Sequence, residues 1–134
     1  MNAVDTSVVV AMFASWHAAH EAARAVLALS PSLPAHAALE AYSVLTRLPP
    51  AQRATATDVR AFLEREFPGP HLVLDASATS GLVAELADHD ITGGATYDGL
   101  IAVTARTAGA TLYTCDRRAR RVYERLGVEI RFVG

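Results

Sequence analysis

The chain has 134 residues, a formal net charge of −2, 51% hydrophobic and 19% charged residues, and no lysine among its twelve basic residues. Such a length suits one domain, 1–134, and the composition is too apolar for a disordered chain and too nearly neutral for a protein that binds nucleic acid through bulk charge. Without lysine there can be no GxxxxGK[ST] phosphate-binding loop, which needs it to reach the β/γ-phosphates.

Ala3-Val4 starts a short strand, and Thr6-Ser7 offers a hydroxyl cap to a helix over residues 8–13. A second helix is expected over 15–29, opened by Ser15, with Ala19, Ala22, Ala23, Val26 and Leu27 at helical spacing. Ser30-Pro31-Ser32 closes it. Residues 33–35 form a second short strand before a helix over about 37–48 that Pro49-Pro50 stops. Thr57 or Asp58 opens the next helix, which runs to 67 and ends at Pro68-Gly69-Pro70. A third strand over 71–74 leads to a helix over 77–87 and a turn at Gly93-Gly94. Thr96 or Tyr97 starts a helix that Gly109 ends; a strand over 111–114, an Arg-rich helix over 117–126 and a last strand over 129–132 complete the chain. Strands alternating with helices predict an α/β fold: a mainly parallel, roughly five-stranded sheet covered on both faces, with right-handed crossovers.

The one cysteine cannot form an internal disulfide and suits a reducing compartment. The apolar run 7–14 is short, follows Asp5 and lacks a basic flank, and no stretch approaches the roughly 20 residues of a membrane span. A cytoplasmic protein without a membrane segment is the expectation.

Open parallel sheets place their chemistry at the carboxyl ends of strands. Asp5 directly follows Ala3-Val4, and Asp116 stands in the same relation to Leu112-Tyr113-Thr114-Cys115. Glu40 and Asp98 lie near helix starts on inward stripes, Glu40 with Ala37, Ala41 and Val44, and Asp98 with Ile101, Ala102 and Ala105. A carboxylate on such a stripe costs several kcal/mol unless it is paired or bound to metal. Two carboxylates 4 Å apart repel by about 4 kcal/mol at an effective dielectric of about 20, so four together call for a divalent cation, and hard oxygen donors suit Mg²⁺ or Mn²⁺.

The segments Val4-Asp5-Thr6-Ser7, Glu40 on its helix, Gly94-Ala95-Thr96-Tyr97-Asp98-Gly99-Leu100-Ile101-Ala102 and Leu112-Tyr113-Thr114-Cys115-Asp116-Arg117-Arg118 together resemble the PIN-domain ribonucleases, most closely the VapC-type toxins of bacterial toxin–antitoxin modules. The resemblance runs from Met1 to Gly134. It implies a three-layer α/β/α sandwich in which Asp5, Glu40, Asp98 and Asp116 surround one or two Mg²⁺ or Mn²⁺ ions, Asp5 and Asp98 as the most direct ligands. Thr6, Ser7 and Thr114 would orient these carboxylates by hydrogen bonds. It further implies a metal-dependent endoribonuclease that activates a water against an RNA phosphodiester, a small VapB-like antitoxin that holds it inactive, and a homodimer. A non-catalytic module for RNA or protein on the same fold, and a metal-dependent phosphatase or DNA nuclease, stay open as alternatives.

Other residues read more simply. Asp5, Asp98 and Asp116 could each cap a helix, with Thr6, Ser7 and Thr96 as alternative caps; Asp75, also after a strand, is expected only to cap. His17 and His20 are expected to face solvent, His36 could hydrogen-bond Glu40 one turn on, and Cys115 is a small buried hydrophobe. Arg117, Arg118 and Arg121, in the one concentrated basic run, suit either a solvated helix face or a rail for RNA phosphates.

Overall fold

Three strands and seven α-helices succeed one another in a computed structural model that describes residues 1–134. In chain order they are β1 (Asn2–Val4), α1 (Thr6–Phe13), α2 (His20–Val26), α3 (Ala35–Thr46), α4 (Ala56–Glu66), α5 (Ala76–Asp88), α6 (Ala95–Thr107), β2 (Thr111–Thr114), α7 (Arg120–Arg125) and β3 (Ile130–Phe132). Single 3₁₀ turns follow α2, at Leu27–Leu29, and precede α7, at Arg117–Ala119.

The strands lie in the order β1-β2-β3, all parallel, with Val4 opposite Tyr113 and Thr114 opposite Phe132. Beyond β1 the sheet continues only as two isolated parallel bridges, Ala3 to Ser32 and Pro34 to Leu72. The expected strands at 33–35 and 71–74 are therefore reduced to one-residue pairings, and the sheet has three strands instead of five. Proline explains the reduction. Pro31, Pro34 and Pro70 have no N–H to give a ladder, and pairing survives only through neighbours such as Ser32, which donates to the Asn2 carbonyl, and Leu72, which donates to that of Leu33.

Ala3 and Val4 point to opposite faces of the sheet, yet neither exposes any surface. Both faces must therefore be covered, as a parallel sheet between helical layers requires. One cluster of apolar side chains joins β1 and α1 to α3, α6, β2 and α7. Gly99 allows α6 to approach closely, because a Cβ there would meet Leu86 and would also touch Leu126 and Ile91. At the outer edge of α5 and α6, Arg106 makes a bidentate pair with Glu85 at 2.7 and 2.9 Å and also donates to the Leu126 carbonyl.

Several helix starts differ from expectation. Asp5, not Thr6 or Ser7, caps α1, its side chain accepting from the Val8 N–H at 3.2 Å. The second helix begins at His20 without a side-chain cap, five residues after Ser15. The start of α6 has no side-chain cap either, since Gly94 occupies that position, so Asp98 is not engaged in capping. Thr55 caps α4 ahead of Thr57 and Asp58, while Asp75 caps α5 as expected. Gly109 follows α6 with a φ of 70°, the left-handed conformation that ends a helix readily. No helix is long and apolar enough to cross a membrane.

Candidate active site

Parallel pairing of β1 with β2 puts the residues just past both strands side by side. Asp5 donates its N–H to the Tyr113 carbonyl at 3.0 Å, and Asp116 lies two residues past Thr114 on the neighbouring strand. The start of α6 and the second turn of α3 close over the same strand ends. Asp5, Glu40, Asp98 and Asp116 consequently line one cavity of about 350 Å³, together with Thr6, Ser7, Val10, His17, Val44 and Tyr123. All four acids singled out by sequence meet there. A larger concavity, about 790 Å³, lies between α3 and α4, but it is mostly apolar and its charged liners Arg60 and Glu64 satisfy each other at 2.8 Å. The chemistry concentrates in the smaller one.

Asp5 is only 1% exposed. Its Oδ1 accepts from the Ser7 hydroxyl at 2.5 Å and from the Val8 N–H, and its Oδ2 accepts from the Tyr123 hydroxyl at 2.8 Å. Burial pushes its carboxyl above the ordinary range, and these donors, with Thr114, pull it back. Asp98 has no hydrogen bond to offset its surroundings. Burial first, then the charges of Asp116, Asp5 and Glu40, raise it to about 6. Tyr123 is pushed far up by burial and then by Asp5, so it remains a neutral donor.

The expected orienting residues divide their work. Thr6 donates to Glu40 Oε1 at 2.9 Å and so joins α1 to α3. Ser7 donates to Asp5 while accepting the Cys115 N–H at 2.8 Å, which fastens the turn after β1 to the end of β2. Thr114 sits behind the cavity without exposure and accepts the Asp116 N–H at 3.0 Å. Asp116 caps the 3₁₀ turn through the Arg118 N–H at 2.9 Å and still faces the cavity with its carboxylate, so both roles coexist.

Histidine and tyrosine positions correct the sequence reading. Tyr123 was not among the candidates; its signal lay in the stripe Ala119, Tyr123, Leu126, an inward helix face with one polar tip. His17 and His20 are no solvent-facing pair. His20 Nδ1 lies 2.8 Å from the Ala11 carbonyl, whereas His17 accepts the Ala19 N–H at 3.0 Å and reaches the acidic cavity. His36 lies 3.5 Å from Glu40 but makes no hydrogen bond to it; its Nε2 is buried and unpaired, and its ring stacks on Tyr97.

Arg117, Arg118 and Arg121 are all exposed and line no part of the cavity. Arg117 lies over the Phe132 ring at 4.5 Å, Arg118 stands 3.7 Å from Asp116, and Arg121 makes no ion pair. Cys115 is half-buried, and burial followed by the Asp5 charge raises its thiol to about 11, which favours the neutral thiol.

Apart from the His17 imidazole, the polar side chains facing the cavity offer hard oxygen, four of them carboxylates. This fits Mg²⁺ or Mn²⁺. No three of these side chains already surround a single point as a ligand shell.

The PIN domain family profile matches residues 3–125. "Ribonuclease VapC40" of Mycobacterium tuberculosis (strain ATCC 25618 / H37Rv) is 53% identical over 133 residues, 99% of each chain, and the protein of that name in strain CDC 1551 / Oshkosh is identical to the same extent. "Ribonuclease VapC27" of strain ATCC 25618 / H37Rv is 43% identical over 129 residues, 96% of this chain and 93% of its own. A profile match across the fold and identity along the full length agree with the acids gathered at the strand ends: the chain belongs to the PIN-domain family, among its VapC-type members.

Proposed function

We propose that the protein is a metal-dependent endoribonuclease, the toxin of a toxin–antitoxin pair, and that Asp5, Glu40, Asp98 and Asp116 are its metal-binding and catalytic residues. The observation that carries this is the meeting of four acids from four separate parts of the chain in one cavity, with Asp98 driven up to about 6 by burial and by the other three. Asp5 and Asp98 would hold Mg²⁺ or Mn²⁺ directly, and Glu40 and Asp116 would act partly through waters. A bound ion would supply positive charge against a scissile phosphodiester and acidify a water for attack.

The chain's own groups prepare that site. Ser7, Val8 and Tyr123 fix both oxygens of Asp5, while Thr6 holds Glu40 toward the cavity. Asp98 has no such donors, and burial with the neighbouring acids raises its carboxyl to about 6. The exposed Arg117, Arg118 and Arg121, of which Arg118 stands 3.7 Å from Asp116, would meet RNA phosphates. The three relatives named ribonucleases support RNA as the substrate. We take residues 1–134 as one domain, active in the cytoplasm, paired with a VapB-like antitoxin and assembled as a homodimer.

The test is incubation of the purified protein, free of antitoxin, with single-stranded RNA and with DNA of the same sequence, in Mn²⁺ or Mg²⁺, beside EDTA and an Asp98→Asn variant. RNA should be cut only by the wild type with metal. Cutting that survives Asp98→Asn or EDTA would overturn the assignment, and cutting of DNA alone would replace the substrate.

A further inference from the structure

Beside the acidic cavity lies a second, smaller one of about 300 Å³, lined by His36, Leu39, Glu40, Ser43 and Tyr97. Glu40 lines both. The floor between α3 and α6 is aromatic: the Tyr97 and His36 rings are nearly parallel, 11° apart in plane, with centroids 5.2 Å apart. One face of the His36 ring is covered by Tyr97, and its Nε2 is buried without a partner. Tyr97 itself remains 52% exposed, and Leu39 next to it 65%. The Tyr97 hydroxyl makes no hydrogen bond to the protein, so the ring is not held at the surface by its polar end.

We propose that this cavity is a stacking subsite for one unpaired nucleobase of the RNA, the base adjoining the phosphate that lies at the acids, with Tyr97 as the platform. Its ring is flat, exposed and already backed by a second ring, which removes much of the ordering cost of stacking. A cavity of this size stands at the lower end of ligand sites and suits a fragment the size of a base. The shared Glu40 places the subsite directly next to the acids, where a nucleotide whose phosphate sits at the cavity must put its base somewhere. Stacking is indifferent to which base it meets, because every base has a π-face, so the subsite would grip single-stranded RNA and exclude paired bases.

The subsite depends on the ribonuclease function proposed above, and the experiment separates the two. Steady-state cleavage of single-stranded RNA with Mn²⁺ would be measured for the wild type, Tyr97→Phe, Tyr97→Leu and Tyr97→Ala, with thermal melting of each. Binding of an RNA carrying one 2-aminopurine would be followed by its fluorescence. Tyr97→Phe should match the wild type, since stacking does not use the hydroxyl. Tyr97→Ala and Tyr97→Leu should raise KM by about 5- to 100-fold with kcat within a few-fold, and the 2-aminopurine quench should shrink in both. Tyr97→Leu keeps bulk between α3 and α6, so it reports on stacking even if Tyr97→Ala folds poorly. A wild-type KM in Tyr97→Leu, or a fall in kcat that tracks lost thermal stability, would reduce Tyr97 to a staple between helices and overturn the subsite. A wild type that neither cuts nor binds RNA would overturn the ribonuclease function itself.

Discussion

The end of β1 and the first turn of α6 each bring an aspartate to the same cavity, and they hold it in opposite ways. Asp5 is sealed, caps α1, and receives hydrogen bonds from Ser7, Val8 and Tyr123. Asp98 is only partly covered, caps nothing, receives no hydrogen bond and is raised to about 6 by burial and by Asp116, Asp5 and Glu40. The cost of gathering four acids is therefore unevenly distributed. At Asp5 the donors offset part of the desolvation and fix the carboxylate's position, though burial still holds its carboxyl above the ordinary range; at Asp98 no donor offsets any of it.

Substitution should separate the two. Asp98→Asn should lower RNA cleavage by on the order of 10²- to 10³-fold, the scale of losing one group that stabilises charge in the transition state. The same change should raise metal-free stability at pH 7.5 by about 1–2 kcal/mol, because it deletes a charge the fold disfavours. Asp5→Ala should do the reverse to stability, lowering it by about 2–4 kcal/mol through a lost cap and orphaned hydroxyls. Chemical denaturation of the metal-free proteins checks both signs. Shifts in the same direction would break the contrast.

Acidity gives a second way in. An acid raised on folding binds its proton more tightly in the native state, so that stability is complete below 3.8 and is lost as pH rises through about 6. Melting of the metal-free wild type should therefore fall between pH 4 and 6.5 relative to Asp98→Asn, by about 1–2 kcal/mol at most, and Mn²⁺ should close that gap above pH 6. Parallel profiles would mean that Asp98 is screened by water and does not carry the cost. Tyr123→Phe perturbs the other aspartate more gently. Losing one donor to Asp5 should cost about 1 kcal/mol and reduce cleavage several-fold, with the pH profile of Asp98 unchanged.

How much of this was legible depended on whether a role was written in position along the chain or in interactions across it. Asp5 and Asp116 follow apolar strand segments, and strand ends in a parallel sheet have a fixed place, so position alone brought them to the cavity. Glu40 and Asp98 lie on Ala- and Ile-rich stripes where an acid is out of place, and that misfit located them. The sheet was harder. Residues 33–35 and 71–74 have strand-like composition, but the prolines beside them remove the donors a ladder needs, and only bridges form. Tyr123 was missed because it reaches Asp5 across 118 residues; His17, read as solvent-facing beside His20, instead turns back to the cavity from the loop after α1. Position left Asp5, Thr6 and Ser7 all open as the α1 cap; Asp5 takes it, while Thr6 turns to Glu40 across 34 residues.

The smallest expected effect lies outside the cavity and sharpens the contrast from a different side. Both aspartates act at short range, whereas Arg118 and Arg121 face solvent, so any hold they have on RNA must be electrostatic and open to salt. Their alternative is a solvated helix face, which Arg120 already illustrates by pairing with Glu124 at 2.7 Å. Arg118→Ala with Arg121→Ala should weaken RNA binding several-fold at low salt and flatten the plot of log affinity against log salt by about 0.7 for each phosphate that is no longer neutralised. Tyr97→Leu, an uncharged change, should instead weaken binding by the same factor at every salt concentration. Fluorescence titration between low and moderate salt reads both slopes. An unchanged slope in the arginine double variant would return these residues to solvent and leave RNA held by the acidic cavity and its stacking neighbour alone.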